Sequence, residues 1–289
     1  MRLLTPLLAL ILSAGTVLAQ KVDTPPPTKP PLIESDIGLL PEGTDHLDLI
    51  LLIGQSNMKG RGFMPAEPLN DPRFIMMHLR NDQWYHARHP LHLTGHPETF
   101  KGHDNAGVGP GLAFAQTIAA ESPAARIGLL PCAKGGSPIS LWSKNGNLYA
   151  EAIRRARLAL KRGPRGKTRL RAVLWLQGEA DSKVAKLPTY ADSLNDLVDR
   201  LRKDLKSPDL PFIACTIGEM NKDTAEVNRA EMNKLLLDLP NQRKHTACVD
   251  ARDLTGHIGD SVHFNTQSQE EIGRRYAAKL LELESQARD

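Results

Sequence analysis

The chain has 289 residues and a net charge of +4, with 37 Lys and Arg interspersed among 33 Asp and Glu. No basic stripe emerges from that mixture, so the composition excludes the electrostatic footprint of a nucleic-acid binder. Its three cysteines, Cys132, Cys215 and Cys248, are too few and too scattered for a disulfide scaffold or a zinc motif.

Residues 1–19 have the three parts of a secretory signal peptide: Arg2, an apolar run from Leu3 to Ile11, and small residues ending at Ala19. The run is short for a bilayer span and no stop-transfer segment follows it. Export is therefore expected, to the periplasm or beyond, with cleavage near Ala19 and no membrane attachment afterwards. Residues 20–44 include the proline-crowded VDTPPPTKPPLIESD, whose fixed φ and missing donors suit an extended tether. The folded part is expected over 45–289 as one domain, since neither a second linker nor an internal repeat is visible.

Within that part five apolar runs alternate with helical segments. The runs are DLILLIG (48–54), ARIGLLPCA (125–133), LRAVLWLQG (170–178), LPFIACTIG (210–218) and HTACVDA (245–251). Apolar character without alternation is what strands covered on both faces require, so these read as a parallel sheet. Cys215 and Cys248 lie inside two of the runs and read as small buried hydrophobes, although export permits one cysteine pair to oxidise. Helices are expected at 110–121, 146–161, 189–205, 222–238 and 266–283; in the last, Ile272, Tyr276, Leu280 and Leu283 share a face. The fold class is thus α/β: a three-layer α/β/α sandwich around a flavodoxin-like, doubly wound sheet of about five parallel strands.

Residues 59–105 break the pattern. They lack periodicity, are rich in Pro, Gly and His, and carry Phe74, Trp84 and Tyr85. A long loop of this kind is expected to fold over the sheet edge as a wall of a binding cleft. Its His86, His89, His92, His96 and His103 invite a metal reading. They match no helix-borne H-E-x-x-H pattern, and Pro90 and Pro97 interrupt any helix that aligns them, so neither a metal nor another cofactor is expected. The basic run RRARLALKRGPRGKTRLR (154–171) is either a solvated helix end with its turn or a docking site for an acidic polymer.

Polar and glycine residues collect where the strands end. The first strand runs into Gly54-Gln55-Ser56-Asn57-Met58, the second into Ala133-Lys134-Gly135-Gly136-Ser137, the third into Gln177-Gly178-Glu179-Ala180-Asp181, and the fifth is followed by Asp260-Ser261-Val262-His263. Ligands bind outside the carboxyl ends of parallel strands, so these segments should meet in one crevice. There Ser56, on a tight strand-to-helix turn, has the place of a nucleophile; His263 is the candidate base and Asp260 the carboxylate that holds its other ring nitrogen. An oxyanion formed by attack on an ester needs aimed donors. The candidates are the N–H of Ser56, the N–H of Gly135 or Gly136, and the side-chain amide of Gln177. Gln55, Asn57, Asn105, Glu179 and Asp181 are possible supporting or substrate-binding residues, and Trp142 either stacks on a sugar or joins the core.

GQSNM, WLQGEAD and D-x-x-H, together with GVGPGLAFA (107–115) and PCAKGGSPISLW (131–142), resemble the carbohydrate esterase branch of the SGNH hydrolases over residues 48–269. That branch includes acetyl xylan esterases and sialate O-acetylesterases. The resemblance implies an esterase acting on an acetylated oligo- or polysaccharide, with Ser56, Asp260 and His263 as triad and Ser56, Gly135 and Gln177 as oxyanion hole. Gln177 stands where most of the superfamily carries Asn. Two rivals remain open at this level: a lipase or thioesterase using the same triad on other acyl groups, and a carbohydrate-binding protein without the chemistry.

Overall fold

The computed structural model describes residues 32–288 apart from Phe100 and His103, so the segment read as a signal peptide and much of the expected tether lie outside the described residues. Seven strands form one sheet: β1 (His46–Gly54), β2 (Phe74–Met77), β3 (Trp84–His86), β4 (Ala125–Pro131), β5 (Thr168–Leu176), β6 (Phe212–Cys215) and β7 (Thr246–Val249). Their order is β3-β2-β4-β1-β5-β6-β7, all parallel except β3, which pairs antiparallel with β2. β1 is central, with Leu51 opposite Leu130 of β4 and Val173 of β5.

The pleat of β1 sorts its side chains into two buried layers. Leu47, Leu49, Leu51 and Ile53 face a core that also holds Trp142, Tyr149, Trp175, Tyr190 and Leu236. That layer is covered by α3 (Asn147–Arg162), α4 (Leu187–Asp204) and α5 (Arg229–Gln242). Ile50 and Leu52 face the opposite core with Phe114, Ile272, Tyr276 and Leu280, under α2 (Gly111–Glu121) and α6 (Thr266–Gln286). Each such fully buried aliphatic or aromatic side chain contributes about 1.5–3 kcal/mol. The expected α/β/α sandwich is therefore present, with its central strands in the expected places.

Three expectations are corrected. The segment 59–105 is not wholly loop, because β2 and β3 extend the sheet beyond β4 and raise the strand count from about five to seven. The tether ends earlier than residue 44. Leu32 is buried, Ser35 N–H donates to Trp84 O (2.9 Å), His86 N–H donates to Ile33 O (2.9 Å), and Arg126 donates to Asp36 O (3.0 Å) and Ser35 Oγ (2.6 Å). Residues 32–36 thereby cover the edge at β3, which would otherwise expose unpaired backbone. Finally, α5 starts at Arg229 rather than near 222, since the Asn228 side chain caps it by accepting from Glu231 N–H at 2.8 Å.

The cysteines are all free and buried, as small hydrophobes would be. Part of the basic run 154–171 is neutralised or buried. Arg154 pairs with Asp82 and Glu151, buried Arg155 donates to the Met77 and His78 carbonyls, and Arg171 pairs with Asp48 and Glu284. Lys161, Arg162, Arg165 and Lys167 in the same run stay exposed.

Candidate active site

β1 ends at Gly54, whose φ of +136° and approach to the Leu176 carbonyl leave no room for a side chain; a Cβ there would lie 2.2 Å from that oxygen. The turn delivers Gln55 and then α1 (Ser56–Lys59), a single helical turn. A helix so short carries little dipole, so stabilisation of negative charge beside Ser56 depends on nearby N–H groups and side chains. Gly60, at φ +92°, then reverses the chain against the backbone of Val108 and Gly109.

Ser56 is buried, and its Oγ lies 2.9 Å from His263 Nε2. His263 Nδ1 lies 2.5 Å from Asp260 Oδ2, while Asp260 Oδ1 accepts from Val262 N–H (3.0 Å) and His263 N–H (2.9 Å). Burial pushes the Asp260 carboxyl up, but the hydrogen bonds from the His263 side chain and the two backbone N–H groups outweigh it and hold it at about 2. The carboxylate is thus charged at any pH in ordinary use. Ser56, His263 and Asp260, proposed from three separate positions in the sequence, meet in one line that can carry a proton off an attacking hydroxyl.

The donor wall differs from expectation at one residue. Gly135 lies beside Ser56, with its would-be Cβ 3.8 Å from Ser56 Cβ, and its loop is tied to β1 by Lys134 N–H and Ser137 Oγ, both donating to Gly54 O at 3.2 Å. Gln177, however, is fully buried and its amide is committed. Nε2 donates to Asp181 Oδ2 (2.6 Å) and Ser137 O (3.2 Å), and Oε1 accepts from Tyr190 Oη–H (2.9 Å). An amide has two N–H donors, so none is left to face an oxyanion. Gln177 instead braces the Gly135–Ser137 loop. Asp181 serves the same brace by also accepting from Ile139 N–H at 2.7 Å.

The remaining expected residues divide. Gln55 Oε1 accepts from Ala180 N–H (3.2 Å), joining the ends of β1 and β5. The Asn57 side chain donates to Glu179 Oε1 (2.5 Å) and to Val262 O (3.1 Å), and burial raises the Glu179 carboxyl. Asn105 is exposed, with its Oδ1 accepting from Lys59 Nζ (3.2 Å), which also pairs with Asp104 (2.5 Å). Trp142 is not a sugar platform: it is 1% exposed and packs edge-on against Trp175 with centroids 5.6 Å apart. Among the described residues no group of three or more His, Cys, Asp or Glu side chains is placed to hold a metal ion. Burial lowers His89 to about 4 and His92 to about 3, keeping both rings neutral.

Arg61 is the residue the sequence reading missed. Its Nη2 lies 3.3 Å from the point a Gly135 Cβ would occupy, and its buried Nε has no hydrogen-bond partner. Burial lowers its pKa, while Asp104 and Asp260 raise it. The signal was the reversal at Gly60, which turns the second cation after GQSNM back towards Ser56.

Comparison with known proteins matches residues 46–282 to the model of a family described as carbohydrate esterase, sialic acid-specific acetylesterase. The probable carbohydrate esterase At4g34215 of Arabidopsis thaliana is 32% identical over 250 residues, covering 81% of this chain and 90% of that protein. The solved structure of that Arabidopsis protein aligns with a TM-score of 0.69 at 29% identity, over 81% of this chain and 98% of its own. A probable 9-O-acetyl-N-acetylneuraminic acid deacetylase of Escherichia coli K12 is 28% identical over 147 residues, 44% of this chain and 42% of that one. A carbohydrate acetylesterase of Xanthomonas citri shares the fold, with a TM-score of 0.58 at 18% identity over 82% of this chain and 56% of its own. The chain belongs to the family described as carbohydrate esterase, sialic acid-specific acetylesterase, whose members are carboxylic ester hydrolases.

Proposed function

We propose that this chain is an exported serine esterase that removes O-acetyl groups from an acetylated oligo- or polysaccharide through a covalent acetyl-enzyme. Ser56 Oγ attacks the acetyl carbonyl and passes its proton to His263 Nε2. The N–H groups of Ser56 and of Gly135 or Gly136 receive the oxyanion, with the Arg61 charge beside them. Collapse of the tetrahedral species breaks the bond to the sugar oxygen, which takes the proton from His263. Water then attacks the acetyl group with His263 again as base, releasing acetate and restoring Ser56. Asp260 stays ionised and stabilises the imidazolium.

The observation that carries this reading is the unbroken contact line from Asp260 through His263 to Ser56, at 2.5 and 2.9 Å. The family supports sugar acetates as substrates over long-chain acyl esters. Acetate release from acetylated sialic acid, xylan, mannan and pectin by the purified chain, beside its Ser56→Ala variant, tests it. The wild type should release acetate from at least one of these with no added metal and the folded variant from none; retained activity in the variant ends the serine mechanism. An acyl-length series should show a sharp fall from acetyl to butyryl, and a preference for long chains would remove the sugar-acetate reading. Export rests on the leader at 1–19; a mature N-terminus at Gln20 in the periplasm or medium is the expected result.

A further inference from the structure

Ser56 and His263 are 207 residues apart in sequence, and their approach has to be held by something other than the chain between them. The loop that carries His263 is closed largely on itself. Ile258 N–H donates to His263 O, Asn265 N–H to Gly256 O, and Gly259 and Ser261 N–H to His257 Nδ1. On either side of His263, its attachment to the nucleophile turn is one side chain. Asn57 Nδ2 donates to Val262 O (3.1 Å), and Phe264 N–H donates to Asn57 Oδ1 (3.1 Å). The residue directly after the nucleophile thus grips the backbone on both sides of the base.

A primary amide has two donor hydrogens and two acceptor sites, and all four are used here. The second N–H goes to Glu179 Oε1 at 2.5 Å, and the second acceptor site receives Gln269 Nε2 at 3.5 Å. Glu179, at the end of β5, accepts from the NH₂ side only, so it fixes which way round the amide sits. The reversed amide would set its oxygen against the Val262 carbonyl and its NH₂ against the Phe264 N–H. Asn57 is wholly buried, so water has no route to replace these bonds.

We propose that Asn57 is a positioning residue: by bonding both neighbours of His263 it sets the approach of base to nucleophile, and Glu179 holds the Asn57 amide in the orientation that does so. This rests on the serine-esterase reading above. The arrangement works through geometry, because displacement of a catalytic group by about 1 Å costs roughly a hundredfold in rate.

The test compares Asn57→Ala, Glu179→Ala, Glu179→Gln and Ser56→Ala in the full chain, with 4-nitrophenyl acetate as substrate. Asn57→Ala should lower kcat by about a hundredfold with KM within about threefold, and its low-field His263 Nδ1–H proton resonance should shift or broaden while the fold is kept. Glu179→Ala should lower kcat about tenfold, and Glu179→Gln, which keeps an oxygen acceptor for the amide, should return it to within about threefold of wild type. A folded Asn57→Ala variant with kcat within threefold of wild type overturns the proposal, as does equal loss in the two Glu179 variants. If Asn57→Ala does not fold, the Glu179 pair decides alone. Activity in Ser56→Ala equal to wild type would instead overturn the esterase reading itself, so the two failures are distinct.

Discussion

Replacing Asp260 by alanine should separate catalysis from stability. Its carboxylate is 2.5 Å from His263 Nδ1, and its side chain is 41% exposed against 19% for the histidine. Two unit charges about 4 Å apart attract by about 4 kcal/mol at an effective dielectric near 20, and exposure screens this to about 2 kcal/mol. That attraction exists only once His263 is protonated in the transition state, so its loss falls on kcat, as roughly thirtyfold. Freeing the ring to rotate and to take the wrong tautomer adds to this. The expected loss in kcat for Asp260→Ala is between about 10² and 10⁴. The folded ground state loses three solvent-exposed hydrogen bonds, from Val262 N–H, His263 N–H and the His263 ring, together worth about 1–2 kcal/mol. Because the native carboxyl is held near 2, below its ordinary 3.8, its share of stability is fully present above pH 3.8 and is lost as pH falls through about 2. Steady-state kinetics on an acetyl ester, paired with denaturant unfolding at pH 7, checks both halves. A variant with kcat within threefold of wild type, or one whose lost activity merely tracks lost folded protein, would refute the reasoning.

At the far end of β1, Asp48→Asn should cost about 3 kcal/mol in chemical denaturation, because it strips a charged partner from buried Arg171; kcat of the folded variant should be unchanged. Buried His92, lowered from 6.5 to about 3, leaves the unfolded chain binding a proton that the native state refuses. Its contribution is therefore fully present above pH 6.5 and is lost as pH falls towards 3, by up to roughly 4–5 kcal/mol. His92→Leu should flatten the fall of the thermal midpoint across that window, and an unchanged slope would contradict it. Asp181→Ala should lower kcat by about ten- to a hundredfold, with KM little changed, by releasing Gln177 Nε2 and Ile139 N–H from the oxyanion loop.

The central strands were legible because each of β1, β4 and β5 is long enough for unbroken apolar character to stand out, and the polar residues after them mark the crevice. β2 and β3, at four and three residues, hold barely two repeats of a strand period, and their pairing is settled by neighbours rather than by themselves. The meeting of Ser56, His263 and Asp260 was legible because GQSN follows directly on an apolar run and D-x-x-H places a carboxylate three residues before its imidazole. Gln177 was assigned from its position at a strand end, yet the direction of its amide depends on Asp181 and Tyr190, and no local pattern reports their placement. Trp142 illustrates the same limit: its place beyond a glycine-rich loop suits either solvent or core, and the facing Trp175 decides it. Arg61 needed the reversal at Gly60, which is a tertiary contact with Val108 and Gly109.

The proposed chemistry is tested most directly by trapping its covalent intermediate. The chain is mixed with an activated acetyl ester, quenched in acid within one turnover, and digested for peptide mass spectrometry. The expected result is an acetyl group on Ser56, absent from Ser56→Ala and accumulating in His263→Ala at a much reduced rate. Full turnover of acetyl esters with no acetyl on Ser56 under any quench, or with the acetyl on another residue, would contradict it.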